Sequence, residues 1–132
     1  MSYLLDTNSW IQFLNRRSET LRRRLESIRA DHVAICSVVK AELFYGAAKS
    51  AKPTENLARI RSLDRFVSLP FDDAAAQHYG IIRARLERIG KVIGPNDMVI
   101  AAIALAHKAT LVTHNTDEFG RIEELRLEDW EE

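Results

Sequence analysis

Asp6, Glu42 and Asp97 are acids in settings where an acid calls for an explanation. Asp6 ends the apolar run Tyr3-Leu4-Leu5. Glu42 lies within the mostly apolar segment Ala41-Leu43-Phe44-Tyr45, and Asp97 follows Gly94-Pro95 at the head of the chain's most apolar stretch. Asp117 and Glu118 come just after Thr110-Leu111-Val112-Thr113. Each has an ordinary use: Asp6 as a helix cap, Asp97 as complement to a helix N-terminus, and the last two as solvated loop acids. Gathered at one place, such carboxylates repel one another and raise their own pKa values unless a cation sits among them. Oxygen ligands without Cys or His neighbours suit Mg²⁺ or Mn²⁺ rather than zinc. Such an ion polarises phosphoryl oxygens and activates water, so the chemistry implied is metal-assisted phosphodiester hydrolysis.

The elements that must position these acids follow from periodicity. Tyr3–Leu5, Val33–Cys36, Phe66–Leu69, Thr110–Thr113 and Leu125–Leu127 read as short strands. Between them, helices are expected over 8–15 and 18–29, from an N-cap at Ser37 to about Ala48, and from Pro53 onward with Leu57, Ile60 and Leu63 inward. Ala75, Tyr79, Ile82, Leu86 and Ile89 form one apolar stripe over 72–90, and Asn96–Lys108 is apolar on every side at its centre, as in a buried helix. Strands alternating with helices predict an α/β fold with a central parallel sheet flanked by helices. The site of such a sheet lies beyond the carboxyl ends of its strands, where Asp6 falls.

The chain has 132 residues, 46% hydrophobic and 29% charged, which predicts a single domain over 1–132 and excludes intrinsic disorder. Its one cysteine, Cys36, excludes a disulfide scaffold and is expected to be a buried thiol. No apolar run approaches the roughly 18 residues of a membrane span, and the N-terminus lacks the features of a signal peptide, so a cytoplasmic setting is expected. The net charge is zero, but residues 1–66 carry 12 Lys/Arg against 7 Asp/Glu and residues 67–132 carry 7 against 12. Arg16-Arg17, Arg22-Arg23-Arg24, and Arg83, Arg85, Arg88 and Lys91 form basic groups suited to phosphate backbones or to solvated faces. His32, His78, His107 and His114 lack metal-ligand spacing and read as structural, with contact to substrate the alternative for His114, which lies nearest the site.

Leu5-Asp6-Thr7-Asn8, Ala41-Glu42-Leu43-Phe44-Tyr45-Gly46-Ala47, Gly94-Pro95-Asn96-Asp97 and Thr113-His114-Asn115-Thr116-Asp117-Glu118-Phe119, in that order, resemble PIN-domain ribonucleases. More narrowly they resemble VapC toxins of type II toxin–antitoxin modules, including the subgroup that cuts initiator tRNA, to which Arg126-Leu127-Glu128-Asp129-Trp130 is also similar. The resemblance runs from about residue 3 to residue 130. It implies a PIN-like three-layer α/β/α fold, Mg²⁺ or Mn²⁺ dependence, an RNA substrate, a VapB-type antitoxin partner and a homodimer. Asp6, Glu42 and Asp97 occupy the family's acidic positions, while Asn115 stands where many PIN domains have an acid, leaving Asn115, Asp117 and Glu118 as candidates to complete the shell. If residues 115–119 form one helical turn, Asn115 and Glu118 share a face and Asp117 points away, so Glu118 is the acid expected to reach the cation. Thr7 and Asn8 are expected to hold Asp6 by hydrogen bonds.

Two other classes bear on these residues. An aspartyl phosphatase needs a second acid two positions after Asp6, and that position is Asn8. A catalytically degenerate PIN-like domain that only binds RNA or protein has no need of all three main acids, which are present.

Overall fold

The computed structural model describes residues 2–132. Strands β1 (Tyr3–Leu5), β2 (Val33–Cys36), β3 (Val67–Leu69), β4 (Thr110–Val112) and β5 (Leu127–Glu128) form one parallel sheet in the order β3-β2-β1-β4-β5. The chain winds outward from β1 to β3 and then crosses back to place β4 on the other side of β1. That reversal opens a crevice beyond the carboxyl ends of β1 and β4. Leu5 is in register with Val112, so Asp6 and Thr113, the next residues, are neighbours across the gap.

Helices α1 (Thr7–Leu14), α2 (Glu19–Glu26), α3 (Ser37–Ala48), α4 (Pro53–Arg61), α5 (Asp73–Arg88), α6 (Pro95–Ala106) and the single turn α7 (Thr116–Phe119) flank the sheet. The expected α/β architecture with a parallel sheet is therefore present. Helix α6 is buried as its composition demands: Met98 and Ile100 through Ala104 are all inside, and α5 packs along it. Its N-terminus is fixed by Pro95 at the first helical position, which sets Asp97 in the first turn.

Several local expectations are corrected. Ser37 is not the N-cap of α3: β2 runs into the helix without a loop, Cys36 is the cap residue, and the Ser37 hydroxyl donates to the Leu69 carbonyl at 3.5 Å. Ile89 leaves the apolar stripe of α5 and is 55% exposed, because the helix ends at Arg88 and Gly90, at φ 68°, turns the chain away. The last strand starts two residues later than the periodicity suggests, and Leu125 is buried in the core instead. Cys36 is buried as expected, and burial pushes its thiol up to about 11.

The tail beyond β5 is held firmly. Trp130 is buried, its ring 5.1 Å from that of Tyr3, with the Arg24 guanidinium over the indole ring, 5.4 Å from its centroid. Its indole N–H donates to Glu128 Oε1 at 3.0 Å, and the Thr20 hydroxyl donates to the Glu131 carbonyl.

Ile103 is fully buried in α6, so Ile103→Ala is expected to cost about 3 kcal/mol in urea unfolding. Ile89→Ala is expected to change stability by less than about 0.5 kcal/mol. Equal effects would mean that α6 is not the buried helix of the sheet.

Candidate active site

The four candidate acids reach the site from four different elements. Asp6 stands between β1 and α1, Glu42 is in α3, Asp97 in the first turn of α6 and Glu118 in α7. Asp6 is 5% exposed and serves as the N-cap of α1, its Oδ1 accepting the Ser9 N–H at 2.9 Å. Its Oδ2 accepts the Thr113 hydroxyl at 2.6 Å. Thr113 also accepts the Asn115 N–H at 2.9 Å, so it couples Asp6 to the start of the 115–119 turn.

Thr7 does not hold Asp6. Its hydroxyl donates to Glu42 Oε1 at 2.6 Å, tying α1 to α3, while Asn8 is exposed at the cleft. Thr113, which sequence reasoning did not single out, takes the role expected of Thr7; the pairing depends on the β1–β4 register, which no local pattern encodes. Glu42 also differs in setting from its expectation. Only Leu43 among its apolar neighbours is buried; Phe44 and Tyr45 are exposed. Glu42 itself is half-buried on the side that faces α1.

Residues 116–119 do form a helical turn. The Asn115 side-chain amide donates to Glu118 Oε2 at 3.1 Å, so these two share a face, and Asp117 is exposed. Gly120 lets the chain leave the turn, since a β-carbon there would stand 2.5 Å from the Thr116 carbonyl oxygen.

Asp97 reports the electrostatics of the group. Its pKa is raised from 3.8 to about 6, first by burial and then by the charges of Asp6, Glu118 and Glu42. A helix N-terminus acts in the opposite direction, so burial and like charges outweigh it. No Lys or Arg forms an ion pair with any of the four acids among the described residues. The charges of Asp6, Glu118 and Glu42 thus reach Asp97, while the group of acidic and histidine side chains whose ligand atoms lie within 4.8 Å of one another among the described residues is a different one, His114, Asp129 and Glu131.

Beside them a cleft of about 440 Å³ is lined by Asp6, Asn8, Gln12, His114, Asn115 and Glu131. His114, read from sequence as structural, is exposed there. The basic groups divide: Arg83 pairs with Glu87 and Arg85 with Glu124, and Arg22 and Arg23 with acids of their own helix. A larger cavity of about 540 Å³, away from the acids, is lined by Arg16, Arg22, Arg59 and Arg65 among others.

A PIN domain model matches residues 3–125. The chain is 40% identical to ribonuclease VapC2 of Rickettsia felis, over 99% of each chain. It is 41% identical to the tRNA(fMet)-specific endonuclease VapC of Shigella flexneri, over 98% of each. Among solved structures, the Rickettsia felis VapBC2 complex bound to a promoter DNA fragment contains a chain with TM-score 0.92 and 39% identity, covering 98% of this chain and 99% of that one.

The raised Asp97 pKa bears on the stability of the metal-free protein. An acid whose folded pKa lies above its unfolded value contributes stability that is complete below the unfolded value, 3.8, and is lost as pH rises through about 6. Asp97→Asn does not ionise. Its stability relative to the unsubstituted protein is therefore expected to rise by about 1–2 kcal/mol between about pH 4 and pH 7.5, after allowance for solvent screening of a half-buried group. Urea unfolding in EDTA checks this; a difference independent of pH would mean that Asp97 is not crowded by the other acids.

Proposed function

Because the chain belongs to the PIN-domain family, and within it to the VapC ribonucleases, we propose that Asp6, Glu42, Asp97 and Glu118 together hold a divalent cation, Mg²⁺ or Mn²⁺, for hydrolysis of RNA phosphodiester bonds. The observation that carries this reading is the Asp97 carboxyl, raised by burial and by three other acids from separate elements. Bound there, the cation supplies neutralisation and polarisation of the phosphoryl oxygens. Asp6 and Asp97 are its main ligands. Glu42, oriented by Thr7, would complete the shell directly or through water and help position the attacking water, and Glu118, oriented by Asn115, would act through water.

Initiator tRNA is the proposed substrate, supported by the name of the Shigella flexneri relative. Its backbone tracks along basic surface, for which the candidates are the cavity carrying Arg16, Arg22, Arg59 and Arg65 and the group Arg83, Arg85 and Arg88. A VapB-type antitoxin is the proposed protein partner, supported by the VapBC2 complex among the structural relatives. An apolar groove lined by Ile11, Leu14, Leu43, Ala47 and Ile60 reaches Glu42, and a segment lying in it would bring an arginine over the carboxylates in place of the cation. A homodimer is proposed as the resemblance to VapC toxins implies it.

Cleavage of total cellular RNA with Mg²⁺, abolished by EDTA, is the test, with cut-site mapping to identify the target. Asp97→Asn is expected to lower the rate more than about 100-fold and Glu118→Gln about 10-fold, with Asp117→Asn near the unsubstituted rate. Retained activity in Asp97→Asn would overturn the metal-site reading, and dominant cuts outside initiator tRNA would overturn the substrate.

A further inference from the structure

The cleft beside the carboxylates poses an electrostatic problem for any RNA. Of its lining residues, Asp6 and Glu131 are acids and Asn8, Gln12 and Asn115 are neutral; His114 is the one able to carry positive charge. A cation among the four acids answers for the phosphate being cut, but the adjacent phosphate meets an acidic rim. His114 is built for that contact. It lies two residues beyond β4 and Asp129 one residue beyond β5, and the Thr113 N–H to Glu128 carbonyl bond of 3.0 Å brings the two strand ends together. His114 Nδ1 lies 2.8 Å from Asp129 Oδ2.

Asp129 is itself fixed. Its Oδ1 accepts the Glu131 N–H at 3.0 Å, and the intervening Trp130 is locked against Tyr3. The Asp129 side chain is 12% exposed and that of His114 61%, so the acid is embedded and the imidazole stands out in solvent. Pairing with Asp129 raises the His114 pKa, favouring the imidazolium. With Nδ1 engaged, Nε2 remains the ring's free nitrogen among the described residues. A surface ion pair contributes little to stability, so stability alone gives little reason for anchoring its acid so thoroughly.

We propose that His114, oriented by Asp129 and the Trp130-anchored tail, grips the RNA phosphate next to the one being cut, donating from Nε2 to a non-bridging oxygen. This rests on the ribonuclease reading above. Asp129 is a positioning residue in this arrangement, and His114 contacts substrate without joining the metal shell. The same three groups, His114, Asp129 and Glu131, have ligand atoms within 4.8 Å of one another, so a cation bound by them is the rival use of this corner.

Steady-state cleavage of bulk tRNA by the full chain, at saturating Mg²⁺ and several salt concentrations, separates these. His114→Gln is expected to raise KM about 10-fold with kcat within about two-fold, as for the loss of one charge-assisted contact. The slope of log KM against log salt is expected to fall by about 0.7, the value of one phosphate contact on a single strand. His114→Arg, which keeps the charge, is expected to restore both, and the Mg²⁺ concentration for half-maximal rate is expected to stay unchanged in both variants. An unchanged KM in His114→Gln overturns the proposal. So does a raised Mg²⁺ requirement, which would make His114 a metal ligand, and so does a loss confined to kcat. No cleavage by the unsubstituted protein would overturn the ribonuclease reading and this inference with it, whereas full activity with an indifferent His114→Gln overturns this inference alone.

Discussion

Mutual repulsion among carboxylates at the end of β1 is the constraint on which the arrangement of this molecule turns. Asp6, Glu42, Asp97 and Glu118 come from four separate parts of the chain, and folding brings Asp97 within reach of the charges of the other three. Nothing in the unfolded chain requires this proximity. The buried α6, the β1–β4 register and the tight turn of α7 supply the rigidity that resists it. A site that tolerates such repulsion without an internal counter-ion holds binding free energy in reserve for an external cation.

Neutral donors do the holding. Thr113 and the Ser9 amide fix Asp6, Thr7 fixes Glu42, and Asn115 fixes Glu118. A lysine or arginine in any of these places would orient the acid equally well but would also cancel its charge. Hydroxyl and amide groups orient without neutralising, as metal ligands require. By contrast, acids away from the site pair with arginines: Glu19 and Glu26 with Arg22, Glu87 with Arg83, Glu124 with Arg85.

Much of the fold was legible in the sequence because it depends on local pattern. The all-apolar centre of α6, the strand–helix alternation and the acids at strand ends are periodicity and composition made visible. The 115–119 turn was legible as well, since the spacing of Asn115 and Glu118 fits one face of a single turn. What depended on distant partners was not. Thr113 meets Asp6 and Thr7 meets Glu42 only through tertiary packing. Ser37 lost its capping role because β2 meets α3 without a loop, and Ile89 left its stripe at the turn made by Gly90. Phe44 and Tyr45 misled in the other direction, since apolar type alone does not fix which way a helical side chain points, and both are exposed. The place of His114 beside the site was legible from its position after β4, but its pairing with Asp129, 15 residues on, was not.

The central claim is that the four carboxylates form one cation site. The most direct measurement is anomalous X-ray scattering from crystals of the protein soaked in Mn²⁺, which locates the ion without reference to activity. The account predicts a Mn²⁺ peak bonded to the carboxylates of Asp6 and Asp97, with Glu42 and Glu118 reaching it directly or through water. A peak only at His114, Asp129 and Glu131, or no peak at Mn²⁺ concentrations that support cleavage, would contradict it.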